Sequence, residues 1–201
     1  MDKPVYSGRN DEGVGEIMLK PVPMIRTERL QLRSLTLRDS DIIYSYFSNP
    51  EMTRFYGMEP FQSKLEADKF IKDFIDDYTT LYRWGIVEKE TGTLVGTCGF
   101  HAVSDKHRRA EIGYEIDLPY WGKGYATESI QGLVKFGFDS MELNRIGANV
   151  YPENVGSRKV LEKVGFTHEG LLRGYLFQGG KYHDANVFSI LKDEVVEHRN
   201  Q

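Results

Sequence analysis

The sequence predicts a mixed α/β (α+β) domain built on a mostly antiparallel sheet, with one β-α-β unit in its middle. Three observations predict it. Short apolar runs separated by tight turns recur across residues 83–117, as in consecutive antiparallel strands. Amphipathic stretches of helical period stand on both sides of that run. Around Gly122 and Gly124 a strand, a Gly-rich turn and a helix follow one another, which opens a β-α-β unit.

The elements read in order as follows. In residues 1–24, Gly8, Gly13 and Gly15 stand among charges and Pro21 and Pro23 close the stretch, the pattern of an N-terminal extension or arm. Residues 25–195 read as one domain and 196–201 as a C-terminal tail. Leu30 and Leu32 alternate with Gln31 and Arg33 like a half-buried strand. Thr36 and Asp39 fit a capping box; Ile42, Ile43, Tyr46 and Phe47 then share a helical face that Asn49-Pro50 ends. Ser63 and Glu66 cap a second helix whose inner face is Ala67, Phe70, Ile71, Phe74, Ile75 and Tyr78. Strands at 83–88 and 94–103 flank the turn 90–93, and a third at 110–117 follows the turn 104–107. A helix is expected over 124–139, a strand over 145–151, and a helix over 154–164 that Gly165 and Phe166 terminate. Strands 167–177 and 185–191 close the domain around Gly179-Gly180. The order is β-α-α-β-β-β-α-β-α-β-β.

With 201 residues the chain can bury one core of useful size. Its net charge of −4 offers no global attraction for nucleic acid or an anionic membrane, so neither is expected as a partner. Cys98 is the single cysteine, which excludes an intrachain disulfide and a cysteine-built zinc site. His101 and His107 lack metal-ligand spacing, so no metal is expected. No apolar run nears the ~18 residues of a membrane span, and no basic-then-apolar leader is visible. With its cysteine usage, this fits a cytoplasmic setting.

The chemistry points to Leu118-Pro119-Tyr120-Trp121-Gly122-Lys123-Gly124-Tyr125-Ala126-Thr127-Glu128. A Gly-rich turn entering a helix leaves backbone N–H groups unpaired at the positive end of a helix dipole, where an anion is favoured. A Walker A loop would need Gly where Asp117 stands and Ser or Thr where Gly124 stands. A dinucleotide fingerprint would need a small residue at Thr127. Neither fits.

The stretch from Glu111 to Glu128 resembles the GNAT superfamily of N-acetyltransferases. That family's pyrophosphate loop, Arg/Gln-x-x-Gly-x-Gly/Ala, is matched at Gly124-Tyr125-Ala126, with Trp121 in the first place. That departure is common in the branch resembling ribosomal-protein (RimJ/RimL-type) N-terminal acetyltransferases. Asn154-Val-Gly-Ser157-Arg-Lys-Val-Leu-Glu-Lys-Val-Gly-Phe166 is similar to the same branch's Asn-x-x-Ser…Lys-x-Gly-Phe helix. The resemblance covers residues 25–191.

The resemblance implies a GNAT-like fold and transfer of acetyl from acetyl-CoA to a primary amine by direct attack in a ternary complex. It implies that Ile116 and its neighbours hold the pantetheine, and that the Trp121, Gly122, Lys123, Gly124, Tyr125, Ala126 and Thr127 segment holds the pyrophosphate. Asn154 would bind pantetheine amides, cap its helix, or do both. Ser157 is the implied general acid for the departing thiolate, since relatives often use Tyr and none stands between Asn154 and Phe166. Lys159, with Arg158 and Lys163, would reach the 3′-phosphate. Glu111 is the implied general base, with Glu115 and Asp184 as alternatives; Glu111 and Glu115 share a strand parity and face one side. Cys98 reads as a buried small hydrophobe, and Tyr56 as either a wall of the acceptor site or a core aromatic. The acceptor would be an amine-bearing small molecule or a protein N-terminus, the latter favoured by the branch; the resemblance also allows a homodimer, since the family often dimerises, but nothing in the sequence marks an interface for one. The rival reading is a non-catalytic acyl-CoA-binding sensor or partner module.

Overall fold

A computed structural model describes residues 22–76 and 82–199. The arm up to residue 21, Tyr78 and the side chain of Ile75 lie outside the described residues. The strands are β1 (Ile25–Arg26), β2 (Leu30–Ser34), β3 (Tyr82–Glu88), β4 (Leu94–Ser104), β5 (Arg109–Ile116), β6 (Arg145–Val150), β7 (Thr167–Gln178) and β8 (Lys181–Leu191). They form one sheet in the order β1-β2-β3-β4-β5-β6-β8-β7, in which β5–β6 is the parallel pair and every other neighbour is antiparallel. The helices are α1 (Ser40–Phe47), α2 (Pro50–Thr53), α3 (Lys64–Asp76), α4 (Tyr125–Asp139), α5 (Val155–Val164) and α6 (Lys192–Arg199). The predicted mixed α/β class and the central β-α-β unit are the observed ones.

β1, α2, α6 and a 3-10 turn at Leu118–Tyr120 add to the predicted order. Two-residue and four-residue elements are too short to show a period. α6 runs through 196–199, where a tail was expected, and its apolar content is too low to signal a helix. β8 begins at Lys181, ahead of the expected 185, through its pairing with Phe177 and Gln178; Lys181 and Tyr182 are exposed, so that end has no inner apolar face for a sequence pattern to show.

The sheet has a core on each face. Trp84 and Ile86 pack with α4 and α5 residues Ile130, Leu133 and Leu161. Their neighbour Val87 turns the other way, toward Ile43, Phe47 and Ile71 of α1 and α3. Asp39 pins α1 to β2: its carboxylate accepts 2.8 and 2.7 Å bonds from Arg33 and a 2.8 Å bond from the Thr36 N–H, completing the predicted capping box.

The feature that places the site is a fork. β5 and β6 pair only at Arg109↔Arg145, Ala110↔Ile146 and Glu111↔Gly147. β5 stays on β4 as far as Gly96↔Ile116, and β6 stays on β8 as far as Val150↔Asn186. Beyond Glu111 the two parallel strands therefore diverge, each held by its outer neighbour, and the gap opens at their C-terminal ends.

Candidate active site

The turn after β5 rests on two left-handed glycines, Gly122 at φ 74° and Gly124 at φ 81°. An L side chain is disfavoured there. Gly124 is also the N-cap of α4, so the free N–H groups of that helix begin at the turn. The helix end is anchored from below. The Glu128 carboxylate accepts from Thr27 Oγ1 at 2.6 Å, the Arg29 N–H at 2.7 Å and Arg29 Nε at 2.7 Å, and Arg29 Nη1 donates to the Lys123 carbonyl at 2.9 Å. Burial works against the Glu128 anion, but these donors outweigh it and hold the carboxyl below its usual range.

Trp121 is about half exposed, at 54%, yet its polar edge turns back to the protein. Its indole N–H donates to the Ile116 carbonyl at 2.5 Å, closing the turn onto the strand that precedes it. Asp117 gives its N–H to Val95 on β4. Strand alternation therefore turns the backbone groups of Ile116 and Tyr114 toward the fork.

Across the fork, Asn154 caps α5 by accepting the Ser157 N–H at Oδ1, 3.0 Å. The Ser157 hydroxyl lies 2.8 Å from the phenol oxygen of Tyr114. Burial pushes the Tyr114 phenol up to about 12, so it is neutral at working pH.

On the other face of the sheet, Arg83 crosses the strands to Glu115. Their ion pair is almost wholly buried, at 6% and 5% exposure. Arg83 also donates to Thr97 Oγ1 at 2.7 Å and to the Tyr56 hydroxyl at 2.7 Å, while Thr97 donates to Glu115. Burial alone would lower the guanidinium's pKa, but Glu115 more than offsets it and holds Arg83 above the usual arginine range. Tyr56 packs 4.8 Å from Phe47, so it is both a core aromatic and a wall. The loop that carries it is locked by Gln178, whose Nε2 donates to the Thr53 and Met58 carbonyls at 2.9 and 3.0 Å and whose Oε1 accepts from Tyr151 at 2.8 Å.

These parts enclose one cavity of ≈ 600 Å³. Its walls come from both faces of the sheet. Ile116, Trp121, Gly122, Gly124, Tyr125, Ala126 and Thr127 form one end; Asn154, Ser157, Lys159 and Lys163 form the α5 side; Met52, Phe55, Tyr56 and Glu115 form the far end. Most predicted site residues thus meet in one place. Glu111 and Lys123 do not line it. Glu111 sits at the apex of the fork, accepting from Asn149 Nδ2 at 2.8 Å with His101 Nε2 at 3.5 Å. The His101 contact foremost holds its carboxyl below the usual range, which makes it a weaker base. Lys123 lays its ammonium 4.8 Å over the Tyr120 ring. Arg158 faces Glu162 at 3.7 Å. Asp184 accepts the Gly174 N–H at 2.8 Å in the exposed β7–β8 hairpin. Cys98 is buried and its thiol is pushed up by burial, which suppresses thiolate chemistry.

Sequence reasoning missed Tyr114, Arg83 and Gln178, and it included Glu128 in the turn segment without its anchoring role. Arg83 left a signal, a lone cation in an otherwise apolar strand; the others left none that local spacing reveals. Among the described residues, no group of His, Cys, Asp and Glu is arranged to hold a metal ion, and no helix is long and apolar enough to cross a membrane.

Comparison with known proteins agrees with this geometry. The family model described as "Acetyltransferase (GNAT) domain" matches residues 29–167. The N-acetyltransferase YoaA of Bacillus subtilis, itself uncharacterised, is 46% identical over 172 residues, covering 85% of this chain and 97% of that one. The putative ribosomal N-acetyltransferase YdaF of B. subtilis is 32% identical over 140 residues, 70% of this chain and 76% of that one. A crystal structure of spermidine N-acetyltransferase from Vibrio cholerae, in complex with CoA and spermine, superposes with a TM-score of 0.74 at 26% identity, covering 84% of this chain and 98% of that chain.

Proposed function

The chain belongs to the GNAT acetyltransferase family and is an acetyl-CoA-dependent N-acetyltransferase, and from that premise we propose how its residues divide the work and which amine it takes. The observation that carries the reading is the cavity's passage through the fork, with a phosphate-type turn at one end and a wall of Tyr56, Phe55 and Met52 at the other. Donor and acceptor can then meet in the gap from opposite faces of the sheet, as direct transfer requires.

The residues suit acetyl-CoA. A Cβ at Gly122 would meet nothing within 4 Å, and Gly122 and Gly124 both line the cavity, so the turn is open to a ligand. The N–H groups from Gly122 to Thr127 and the α4 dipole bind the pyrophosphate. The inward backbone of Ile116 and Tyr114 pairs with pantetheine as an added strand would. Asn154 keeps its cap and offers its amide N–H groups to the same arm. Lys159 and Lys163 supply positive charge on the α5 side. When bound, acetyl-CoA supplies the activated thioester carbonyl and a thiol leaving group. Ser157 faces that leaving group as donor. Glu115 is spent on Arg83, and Glu111 with Asn149 fixes the point where the strands part. The deprotonation of the acceptor is therefore assigned to solvent in the cavity rather than to a buried carboxylate.

For the acceptor we favour a protein or peptide N-terminal amine. The support is YdaF's name, the matched Asn154 helix, and an acceptor end walled by Met52, Phe55 and Tyr56, which suits an apolar first side chain. A homodimer belongs to the same proposal, supported by the exposed Leu172, Tyr175, Phe177 and Tyr182 on the β7–β8 hairpin. So does a cytoplasmic setting, supported by one buried, unpaired thiol. Residues 25–199, through the end of α6, form the catalytic domain in this reading, and 1–24 an arm.

The test is a thiol-release screen with acetyl-CoA across peptide N-termini, polyamines, aminoglycosides and amino acids, beside a thermal-shift panel. Acetyl-CoA should stabilise the protein and ATP should not, and peptides should turn over fastest. Turnover of polyamines with none of peptides would overturn the acceptor assignment. Stabilisation by ATP alone would overturn the assignment of the turn.

A further inference from the structure

Tyr114 rises from β5 beside the fork and meets α5 in its first turn. Its phenol oxygen lies 2.8 Å from Ser157 Oγ and 3.2 Å from the Ser157 carbonyl oxygen. Both residues line the cavity. A phenol and a serine hydroxyl each carry one proton and two acceptor sites. Two arrangements follow. In the first, Tyr114 donates to the carbonyl and accepts the Ser157 proton, leaving nothing from Ser157 for the cavity. In the second, Tyr114 donates to Ser157 Oγ, and the serine proton turns into the cavity. Negative charge forming in the cavity selects the second.

We propose that Tyr114 is a positioning residue for Ser157, holding its oxygen as an acceptor so that its proton is presented to the departing thiolate. The proposal rests on the placement of Ser157 at the leaving group. It also changes what Ser157 does. The C–S bond breaks, a C–N bond forms and sulfur keeps the electron pair. An ordinary thiol has a pKa of about 8.5, far below a serine hydroxyl. The Tyr114 phenol, near 12, is also too weak an acid to protonate that sulfur. The pair therefore stabilises the thiolate by hydrogen bonding, and the sulfur takes its proton from solvent later. The switch between the two arrangements is a rotation of two hydroxyls, with no ionisation of either.

Two measurements test this. The first is a cycle of Tyr114→Phe, Ser157→Ala and the double variant. Loss of one neutral hydrogen bond predicts a fall in kcat of about two- to twelvefold for Tyr114→Phe, with KM for acetyl-CoA unchanged. The double variant should be no slower than Ser157→Ala alone, because Tyr114 acts through Ser157. Equal slowing by Tyr114→Phe in both backgrounds would mean a structural role and overturn the proposal. The second is an ultraviolet thiolate titration of bound CoA, which needs no turnover. The thiol should ionise at lower pH on the wild type than in free CoA, and that shift should shrink on Tyr114→Phe. An unshifted thiol on the wild type would overturn the proposal even if the variants failed to fold. If no amine is acetylated but the thiol shift is present, the function reading fails and this one stands. If Ser157→Ala is slow and Tyr114→Phe is not, this one fails alone.

Discussion

Glu115→Gln separates a structural carboxylate from a catalytic one. The substitution keeps the side chain's shape and removes its charge from a pair that is 6% and 5% exposed. Arg83 would keep Thr97 Oγ1 at 2.7 Å, Tyr56 at 2.7 Å and the Gly113 carbonyl at 3.3 Å, and would lose its counter-ion. With so little solvent to screen it, an uncompensated buried charge costs about 3–5 kcal/mol. In a domain of this size each kcal/mol moves the midpoint by about 2–4 °C, so Tm should drop by roughly 6–20 °C. The assay is calorimetry on Glu115→Gln, Arg83→Met and the double variant. Each single change should melt low, and the double should recover much of the loss, because an apolar replacement removes both desolvated charges at once. A Glu115→Gln protein that melts at the wild-type temperature yet loses turnover would refute this reasoning, and would make Glu115 the base.

Three further outcomes follow from the geometry. Gly124→Ala should weaken CoA binding about tenfold by calorimetric titration, since a left-handed alanine at φ 81° costs about 1–2 kcal/mol to hold in place and its Cβ stands 3.4 Å from Arg29 Nη2; unchanged affinity would remove the turn from the site. Gln178→Ala frees the Thr53 and Met58 carbonyls and should raise KM for the amine while leaving KM for acetyl-CoA alone; equal changes in both would show that the lock does not act on the acceptor wall. Acid should destabilise the fold below about pH 4, the ordinary carboxyl range. Arg145 and Ser189 hold Glu169 down to about 2, and Asp39 and Glu128 are also lowered. These groups bind protons more readily when unfolded, so their stabilisation is present above the unfolded pKa and is lost as pH falls through the folded values. Asp117, raised by burial, has the opposite sign and offsets a little of the loss. A Tm that stays level down to pH 2.5 would contradict the sum of these shifts.

The proposed cofactor end of the site was legible in the sequence because it is built from local backbone devices. The two glycines with the start of α4, and the Asn cap with the start of α5, are each local signals; spacing marks the turn and the cap, and the family resemblance ties both to CoA. The rest of the cavity is built from partners far apart in the chain: Arg83 and Glu115 are 32 residues apart, Tyr114 and Ser157 are 43, and Gln178 and Thr53 are 125. Strand parity correctly put Glu111 and Glu115 on one face, since His101 meets the first and Thr97 the second across β4. Parity cannot say where two parallel strands stop pairing. The ladder ends at Glu111↔Gly147, and that one register position decides the roles: Glu111 is bound into the apex, while Glu115, four residues further along the open edge, enters the cavity wall. There it meets Arg83, which reaches it across β4 beside Gly99, where a Cβ would collide with the Tyr82 carbonyl oxygen and stand 3.0 Å from Arg83 Cδ. A carboxylate so held by Arg83, Thr97 and Tyr46 shapes the wall, and in the proposed division of labour the proton of the acceptor leaves through solvent rather than through Glu115.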